Sequence, residues 1–274
     1  MTTTTSDQAT ATTSSPAGSA DHGTTRTALV TGASSGIGED TARKLQALGY
    51  IVYGAARRAD RLQALTADGI RPLAMDVTDD ASMSAGVNRI LEETGRIDVL
   101  VNNAGFGLGQ RFVGGDLARE EDALNVMVRA VMVASHAAAG AMVERGRGAI
   151  LNVSSMTAHT AMGTYAAHKA WVLRFTEGLA AELAGTGVSA TALCPGLVHT
   201  GFHAAAGIDE TQWKAPLWLD AERVAIDGLA AVRRGQVICT PSLRYRSANA
   251  VLRLAPRWFV RRVVGPERSG QGRD

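Results

Sequence analysis

The chain has few cysteines, little excess charge and no long apolar run, and each shortage excludes a class of protein. Its 274 residues include only Cys194 and Cys239, too few for a disulfide framework, so we expect a reducing, cytoplasmic location. The 28 basic and 26 acidic residues leave a net charge of +2, without the strong positive field of a dedicated nucleic-acid binder. No apolar run approaches the roughly 18 residues of a membrane span. With 46% apolar and 20% charged residues, the composition is that of an ordinary soluble globular protein.

The two ends of the chain differ in composition from its centre. Residues 1–25 are mostly Thr, Ser, Ala and Gly without apolar periodicity. They predict a disordered leader, because such a segment buries too little apolar surface to offset its ordering entropy. The leader has neither the basic start nor the continuous apolar stretch of a signal peptide. The predicted organisation is this leader, a domain over 26–243 and a basic tail over 244–274.

From Arg26 onward, short β-rich runs alternate with amphipathic helical segments. The predicted strands are 27–31, 51–53, 70–75, 97–101, 149–153, 188–193 and 236–240. The predicted helices lie near 36–48, 59–68, 79–94, 119–145 and 164–184. This alternation predicts an α/β fold, a doubly wound parallel sheet of about seven strands with helices on both faces. Ligands of such sheets bind beyond the carboxyl ends of the strands, so the loops after the strands are the candidate site.

Glycine is in surplus, and three glycines lie in the loop after the first strand. The chain has 30 glycines, against roughly 19 at an average usage near 7%. The loop reads Thr31-Gly-Ala-Ser-Ser-Gly-Ile-Gly38 and opens the first predicted helix. Gly32, Gly36 and Gly38 let the backbone turn tightly and approach a pyrophosphate, whose charge the helix N-terminus stabilises. The pattern favours dinucleotide binding over a plain strand-to-helix turn.

The end of the second strand bears on the choice of dinucleotide. Enzymes that use NAD usually have an acid about 20 residues past the glycine loop, which binds the ribose hydroxyls. Ala56 stands where that acid is expected, and Arg57 and Arg58 follow. A guanidinium binds a 2′-phosphate through paired hydrogen bonds. We therefore expect NADP(H) to be preferred and NAD(H) to remain possible; the alternative is a solvated arginine pair at a helix start.

Two further strand ends carry polar residues of the same kind. Asp76 and Val77 close the third strand, and Asn102-Asn103-Ala104-Gly105 closes the fourth. Taken alone, the Asp is equally a helix cap and the Asn-Asn-Ala-Gly sequence equally a turn. Their repeated placement at strand ends favours one shared cofactor cleft.

The candidate chemistry lies in Tyr165-Ala-Ala-His-Lys169. Residues four apart share one face of a helix, and a nearby cation favours the phenolate, lowering the pKa of the phenol towards neutrality. Ser154 and Ser155 close the preceding strand, where a serine hydroxyl would hold a substrate oxygen for the tyrosine. This context favours an acid–base pair over a pair of helix-surface side chains.

With these motifs in order, the sequence resembles the classical short-chain dehydrogenases/reductases from about Thr27 to Thr200. The shared motifs are Thr-Gly-x-x-x-Gly-x-Gly, Asn-Asn-Ala-Gly, the serine, Tyr-x-x-x-Lys and a Pro195-Gly196 loop. The resemblance implies a single-domain Rossmann-like fold that transfers hydride between a nicotinamide cofactor and a carbonyl or alcohol group. It also implies a homodimer or homotetramer built on the helices at 119–145 and 164–184.

Carried over by position, the resemblance assigns roles to individual residues. Tyr165 would be the proton donor in reduction, Lys169 would lower its pKa and hold the nicotinamide ribose, and Ser155, rather than Ser154, would bind the substrate oxygen. The implied cofactor contacts are Gly32, Ser34, Ser35, Gly36, Ile37 and Gly38 at the pyrophosphate, Asp76 and Val77 at the adenine, Asn103, Ala104 and Gly105 at the adenosine ribose, and Pro195, Gly196, Val198 and Thr200 at the carboxamide.

The sequence departs from the family pattern in two places. The fourth catalytic position, usually an Asn in the helix before the serine strand, is Met127 here, with Asn125 two residues earlier. A thioether accepts hydrogen bonds only weakly, so a water relay to Lys169 would rely on the main-chain carbonyl. Ser155 also precedes Tyr165 by only ten residues, which tightens the loop lining the substrate pocket.

Residues 201–219 are the expected lid over the substrate. Their large apolar members include Phe202, Ile208, Trp213, Leu217 and Trp218. Such a lid favours a hydrophobic carbonyl substrate; the alternative is core packing of an extra helix. Five histidines, His136, His159, His168, His199 and His203, show no shared metal-ligand spacing, so no metal site is predicted. His159 and His203 are near enough in sequence to reach the pocket.

The tail over 244–274 carries eight arginines and two acids, leaving 20 basic and 24 acidic residues in the rest of the chain. On a continuous helix Arg246, Arg253, Arg257 and Arg261 form one stripe, with Val251, Leu252, Phe259 and Val263 largely elsewhere. Pro256 is expected to break that helix. We expect a solvated basic face whose apolar side packs on the domain; contact with an anionic membrane or a partner is the alternative.

These observations predict an NADP(H)-preferring oxidoreductase for a hydrophobic ketone, aldehyde or secondary alcohol. One alternative is a catalytically silent NADP-binding sensor or partner-binding protein, which Met127 favours and the intact Ser155, Tyr165 and Lys169 oppose. Another is a membrane-surface oxidoreductase with a lipid-like substrate, held by its tail. No nucleic-acid partner is expected of the domain.

Overall fold

A computed structural model describes residues 25–207 and 209–265 as a seven-stranded sheet flanked by helices. The strands are β1 (Thr27–Thr31), β2 (Ile51–Ala56), β3 (Arg71–Ala74), β4 (Val99–Asn102), β5 (Gly148–Val153), β6 (Val188–Leu193) and β7 (Ile238–Cys239). All pair in parallel in the order β3-β2-β1-β4-β5-β6-β7. The predicted doubly wound parallel sheet is confirmed. Apart from Thr25, the predicted leader lies outside the described residues.

Ten α-helices occur in the described part of the chain. They are α1 (Gly36–Ala47), α2 (Gln63–Thr66), α3 (Asp80–Thr94), α4 (Leu117–Leu124), α5 (Ala130–Glu144), α6 (Gly163–Glu182), α7 (Phe202–Ala205), α8 (Ala221–Arg233), α9 (Leu243–Leu254) and α10 (Arg257–Val263). Short 3-10 turns at Ala59–Leu62, Met156–His159, Glu210–Gln212 and Ala215–Leu217 connect them.

Side chains alternate between the two faces of the sheet, and each face has its own apolar core. From β1, Ala28 and Val30 join the cluster that contains residues of α1 and α8, while Leu29 joins the cluster that contains residues of α3, α5 and α6. Helices therefore cover both faces, as expected for a parallel sheet. The strand order reverses between β1 and β4, so the loops after these two strands diverge and open the cleft in which such sheets bind ligands.

Three elements differ from the sequence-based expectation. The pattern assigns no helix before β7, but α8 is there and buries Val224, Leu229 and Val232 against the sheet. The helix predicted at 59–68 is a 3-10 turn followed by the single turn of α2. The helix predicted at 119–145 is interrupted by the π-helical turn Asn125–Arg129 between α4 and α5. Periodicity does not detect the 3-10 and π turns, because it reports which side of a segment is apolar and not its hydrogen-bond register. Helix α8 does have an apolar side at helical spacing, so that signal was present and was missed.

One helical stretch, Leu117–Glu144, is long and apolar enough to cross a membrane by length and composition alone. Only 28% of its most apolar window is buried among the described residues. No uninterrupted apolar run of that length exists in the sequence, because Arg129 and His136 fall inside the stretch; many alanines raise its average hydropathy instead. The helix lies on the sheet through Ala130, Val131 and Met142, and Leu124, Met132 and Val143 remain exposed.

The tail packs differently from the expectation. Pro256 does separate two helices, α9 and α10. The apolar side, however, is not wholly turned inward: Val251 is 61% exposed, Leu254 87% and Trp258 63%. The tail is held to the domain by Tyr245, Asn249 and other residues on the opposite side of α9.

Candidate functional site

The loop between β1 and α1 forms a concave backbone surface, which side chains larger than those present would fill. Gly32 and Gly36 have φ values of +65° and +58°, a left-handed conformation that favours glycine. A Cβ atom at Gly36 would lie 2.7 Å from Cγ2 of Thr200. The hydroxyl of Ser35, at the N-cap of α1, makes no hydrogen bond to the helix start. This cradle, with free N–H groups at the start of a twelve-residue helix, fits a pyrophosphate.

The Asn-Asn-Ala-Gly turn after β4 is fastened to the end of β1. The N–H groups of Asn103 and Ala104 donate to Thr31 Oγ1 at 3.0 and 3.2 Å. Asn103 Nδ2 donates to the carbonyls of Thr31 and Gly32, both at 3.1 Å. The turn and the glycine loop therefore form one rigid wall, so the two motifs that the sequence separates by about 70 residues are brought together.

Arg57, the first of the two arginines after β2, lies near the acid after β3. The positive charge of Arg57 acts on Asp76, and both Arg57 and Arg58 are exposed. Neither guanidinium forms a hydrogen bond or an ion pair within residues 25–207 and 209–265. Burial acts to raise the pKa of Asp76, but hydrogen bonds from Thr78 and the charge of Arg57 hold it below its ordinary value. Asp76 is thus a carboxylate fixed by Thr78 at 2.7 and 2.9 Å.

Ser155, Tyr165 and Lys169 meet where β5 ends and α6 begins. The Ser155 hydroxyl faces that of Tyr165 and acts to lower the pKa of the phenol. Lys169 Nζ lies 5.7 Å from the centre of the Tyr165 ring and donates to the carbonyl of Val153 at 2.8 Å. Because residues 165 and 169 are four apart on α6, both side chains point at the end of the serine strand.

The two adjacent serines differ in their partners. Ser154 is 2% exposed, and its hydroxyl donates to the main-chain carbonyl of Lys169 at 2.7 Å. Ser155 accepts from the N–H of Thr157 at 3.1 Å and caps the 3-10 turn that follows. Ser154 therefore anchors α6, and the hydroxyl that reaches Tyr165 is that of Ser155, the serine favoured by the resemblance.

The ionisation of the pair differs from the sequence-based expectation. Desolvation raises the pKa of the Tyr165 phenol above its ordinary value, and the Ser155 hydroxyl only partly offsets this. Burial lowers the pKa of Lys169 to about 8. The expected lowering of the phenol pKa by the lysine is wrong for this structure. The reason is that the low-polarity surroundings disfavour the charged form of both groups.

Met127 lies near Gly105, which Lys169 also approaches. It is fully buried, within the π-helical turn, and its Sδ atom lies 3.5 Å from the point where a Cβ atom of Gly105 would be. Lys169 Nζ lies 3.6 Å from the same point. A thioether, not an amide, therefore lies beside the lysine, and the irregular hydrogen bonding of a π turn is found at this site.

The loop after β6 is joined to the lid and to the tail. The N–H of Met156 donates to the carbonyl of Pro195 at 2.9 Å, which ties this loop to the serine strand. The Tyr245 hydroxyl accepts from the N–H of Leu197 at 3.1 Å and donates to the carbonyl of Leu217 at 2.7 Å. A Cβ atom at Gly196 would overlap the Tyr245 ring. The tail thus covers the predicted carboxamide loop.

Sequence reasoning missed two residues near the site. Tyr245 lies in the basic tail, and no local sequence pattern links it to Gly196. Glu120 of α4 is 7% exposed and accepts from Thr164 Oγ1 at 2.6 Å, immediately before Tyr165. Glu120 also accepts from Gln110 Nε2 at 3.0 Å. One feature of the sequence points to Glu120, because this acid lies on the apolar side of an amphipathic helix.

The lid consists of α7 and two 3-10 turns with an aromatic cluster between them. Trp218 stacks on His199 at 4.7 Å between ring centres, and His203 lies edge-on to Trp218 at 5.0 Å. Phe202 lies 5.6 Å from Tyr165. The cluster therefore extends from the lid to the tyrosine. Ile208, also named from the sequence, lies outside the described residues.

Several predicted site residues have other surroundings. Ile37 and Val198 pack in the core on the α1 face, and Val198 pairs through its backbone with Leu219. Val77 lines a cavity of about 490 Å³ between α3 and α5. His159 is buried and its carbonyl accepts from Arg257.

In the part of the chain that the structure describes, no group of three His, Cys, Asp or Glu side chains is arranged for a metal, and both cysteines are free and buried.

A glycine cradle at a helix start, next to a buried lysine and a tyrosine paired with a serine, defines an oxidoreductase that uses a dinucleotide. Residues 26–211 match the family model for short chain dehydrogenases. The chain belongs to this family, whose members act on CH–OH and C=O groups.

Among curated relatives, a Streptomyces virginiae protein named as a ketoacyl reductase of the monensin polyketide synthase is 42% identical over 190 residues, covering 65% of this chain and 72% of the relative.

Two solved structures illustrate the similarity in fold. The short-chain dehydrogenase from Sphingobium yanoikuyae in complex with NADPH is 30% identical, with a TM-score of 0.73 over 83% of this chain and 94% of that one. The Burkholderia phymatum enzyme in complex with NAD is 25% identical, with a TM-score of 0.74 over 83% and 92%. Proteins of this fold thus bind either nicotinamide dinucleotide.

Proposed function

We propose that the protein is an NADP(H)-preferring oxidoreductase that interconverts a hydrophobic ketone or aldehyde and the corresponding secondary or primary alcohol. The observation that carries the proposal is the grouping of Ser155, Tyr165 and the buried Lys169 at the end of β5. These three residues adjoin the cleft formed by the glycine loop and the Asn-Asn-Ala-Gly turn, because Lys169 Nζ lies 3.6 Å from the point where a Cβ atom of Gly105 would be. Nucleotide binding and acid–base chemistry are thereby adjacent.

The proposed roles follow from what each group can donate or accept. The nicotinamide, when bound, supplies or takes up the hydride. Ser155 donates a hydrogen bond to the substrate oxygen, and Tyr165 gives that oxygen its proton in reduction. Because desolvation keeps the phenol protonated, reduction starts from the form that can donate. Lys169, held by the carbonyl of Val153, stabilises the tyrosinate left behind.

The preference for NADP(H) is supported by the arginines after β2. Arg57 and Arg58 are exposed and unpaired within the described residues, and Ala56 leaves no acid to bind the ribose hydroxyls. A 2′-phosphate would give these guanidiniums charge-assisted hydrogen bonds. Thr78 already holds the nearby Asp76, so this carboxylate is not free to replace the phosphate as a partner.

A hydrophobic substrate is supported by the lid. Phe202, Trp213 and Trp218 form an aromatic cluster that reaches Tyr165. An apolar wall contributes about 25 cal/mol for each Å² of apolar substrate surface that it buries. The similarity to a protein named as a ketoacyl reductase supports the same class of carbonyl compound.

The test is a panel of aliphatic and aromatic ketones and aldehydes, offered with NADPH and with NADH. We expect turnover with apolar members, faster with NADPH. Tyr165→Phe should lower kcat by a factor of about 100 or more, since general acid–base catalysis contributes on the order of 10²–10⁴, while NADPH binding persists. Tyr50→Phe, the same change at a position remote from the site, serves as the matched control. Unchanged turnover of Tyr165→Phe contradicts the role of Tyr165.

A catalytically silent NADP-binding protein is the second candidate, favoured by Met127. Its sulfur replaces the side-chain hydrogen-bond partner that the family places beside the lysine, and a thioether accepts only weakly. NADPH binding without turnover across the panel would establish this candidate in place of the first. We favour the enzyme, because Ser155, Tyr165 and the buried Lys169 are all present and lie together.

We also propose a cytoplasmic homo-oligomer. Its support is the exposed apolar surface of α4 and α5, where Leu124 is 47% exposed and Met132 45%. Burial of such a surface by a second copy removes apolar area from water. The two free cysteines are consistent with a reducing location.

A further inference from the structure

The outward side of the C-terminal helices combines exposed apolar residues with arginines that pair with no carboxylate among the described residues. We name it the tail face; its members are Leu243, Val251, Leu254, Trp258 and Phe259, with Arg244, Arg246, Arg253, Arg257, Arg261 and Arg262, and all are exposed. Leu243 and Leu254 are 72% and 87% exposed. These values are far from those of core residues, so the helices present apolar surface to the outside.

The arrangement on α9 is that of an interfacial helix. At 100° per residue, Leu243, Ala250 and Leu254 fall on one line along the helix. Arg244 flanks this line on one side, and Arg246 and Arg253 flank it on the other. Tyr245 and Asn249 lie opposite and bind the domain. An apolar stripe bordered by arginines, on the side away from the protein, is typical of helices that lie in a lipid headgroup layer.

The start of α10 continues the same surface. Trp258 is 63% exposed and lies edge-to-face with Phe259 at 5.9 Å. Trp is enriched where a membrane meets water, because its ring is apolar and its N–H is a hydrogen-bond donor. Val260 is fully buried and anchors this helix to the protein.

The charge of the tail face selects the occupant. Residues 244–265 contain six arginines and no acid, and none of the six pairs with a carboxylate within the described residues. If a second copy docked through the same face, its six arginines would lie against the six of the first copy, and these like charges repel. An anionic lipid surface complements both features at once, because it accepts the apolar side chains and attracts each arginine.

We propose that the tail face docks on the surface of an anionic lipid bilayer. The face adjoins the lid, since Arg244 donates to the carbonyl of Pro216 at 2.5 Å and Tyr245 donates to that of Leu217 at 2.7 Å. Arg257 donates to the carbonyl of His159 in the loop after the serine strand. Docking therefore brings the mouth of the site close to the lipid headgroups.

The experiment is sedimentation of the full-length protein with vesicles. One set is phosphatidylcholine alone, and the other contains equal parts of phosphatidylcholine and phosphatidylglycerol. We expect binding to the anionic set only, weakened by added salt because the attraction is screened. Arg253→Gln with Arg261→Gln should weaken partition roughly 25-fold, about fivefold for each arginine. Leu254→Ser with Trp258→Ser should weaken it about tenfold or more.

The matched control carries the same kinds of change elsewhere. Leu48→Ser with Arg223→Gln alters a 48% exposed leucine and an arginine whose side chain is 71% exposed, both outside the tail. Its vesicle binding should equal that of the unaltered protein. Unaltered circular dichroism and thermal midpoint show that each variant is folded.

Bromine-substituted acyl chains give a second readout. They should quench the fluorescence of Trp258, and Trp258→Phe should bind the vesicles but lose this quenching. Absence of binding to anionic vesicles overturns the proposal, as does equal binding to both vesicle sets. A third outcome is that the protein does not bind vesicles but self-associates, and that Leu254→Ser with Trp258→Ser abolishes this self-association. That outcome assigns the face to a second copy instead. Vesicle binding is measured without turnover. Failure to bind vesicles and failure to reduce carbonyl compounds are therefore separate results.

Discussion

At the scale of single residues, the structure separates side chains that the sequence presents as equivalent. Ser154 and Ser155 are neighbours of one type, yet the first holds the backbone of α6 and the second faces Tyr165. Successive side chains of an extended backbone point to opposite sides, so only one of the two faces the tyrosine. Lys169 is likewise defined by its burial, at 5% exposure, which the spacing to Tyr165 does not reveal.

The burial of Lys169 predicts a dependence of stability on pH. Its pKa is about 8 in the folded protein and about 10.4 when unfolded, so the unfolded state binds more protons between these values. Its contribution to the free energy of unfolding therefore rises with pH, by about 2 kcal/mol between pH 8 and 10. Urea unfolding at pH 8, 9 and 10 should show this rise in the unaltered protein relative to Lys169→Met.

The comparison is made as a difference between the two proteins, because other groups titrate in the same range. Burial raises the pKa of Cys239 to about 11, and its ionisation on unfolding lowers stability as the pH rises. That effect is common to both proteins and cancels. Parallel pH profiles for Lys169→Met and the unaltered protein would contradict a buried lysine with a lowered pKa.

Arg57 predicts the cofactor preference. Arg57→Ala should weaken NADPH binding by roughly 10- to 100-fold, the loss of a charge-assisted hydrogen bond of about 1.5–3 kcal/mol, with little effect on NADH. Dissociation constants for both cofactors, measured by fluorescence titration, check this. Arg223→Ala on α8 is the control, and we expect it to change neither constant. Equal weakening of NADPH and NADH would remove the arginine from the 2′-phosphate site.

At the scale of elements, periodicity located α1, α3, α6 and the α4–α5 stretch. Helix α8 was missed, and hydrogen-bond register and tertiary contacts gave no periodic signal. The strands at 27–31 and 188–193 have the predicted bounds. The π turn at Asn125–Arg129 and the docking of α9 on the loop after β6 have no periodic signature. Tyr245 contacts Gly196 across about 50 residues of sequence, and such a contact follows from the fold alone.

The contact between α9 and this loop predicts a coupling between two substitutions. Gly196→Ala should lower the free energy of unfolding by about 1–3 kcal/mol, because the new methyl group meets the Tyr245 ring. In a Tyr245→Ala background the same change should cost much less, because the ring is gone. Urea unfolding of the two single variants and the double variant measures the coupling.

Gly201→Ala is the control for that cycle. No atom lies within 4 Å of the position of its Cβ, and its φ of −70° suits any residue. We expect its stability to stay within about 0.5 kcal/mol of the unaltered protein. A cost for Gly196→Ala that is the same with and without Tyr245 would show that α9 does not press on the loop.

At the scale of the whole molecule, two surfaces stand out from a chain of nearly neutral net charge. One is the tail face, and the other is the exposed apolar side of α4 and α5. The net charge of +2 conceals them, because it sums an acidic body and a basic tail. Composition describes the average surface, whereas binding depends on which residues are neighbours.

The surface of α4 and α5 predicts the effect of a charge on assembly. Leu124→Asp with Met132→Asp should convert a homo-oligomer into monomers, because a desolvated carboxylate in an apolar interface is strongly disfavoured. Light scattering after size-exclusion chromatography measures the mass. Leu48→Asp, at an equally exposed leucine on another surface, should leave it unchanged. A monomeric unaltered protein, or an oligomer that persists in the double variant, would contradict this interface.

The sequence by itself determined the alternation of strands and helices, the glycine loop, the Tyr-Lys pair and the family, because these depend on residue types at short spacing. Tertiary structure alone decided the rest. The partners of Ser154 and Ser155, the desolvation that moves the pKa values of Tyr165 and Lys169, and the cover that Tyr245 gives to Gly196 arise from segments far apart in the chain. Desolvation and packing depend on everything that surrounds a group in space, and local sequence does not specify those surroundings.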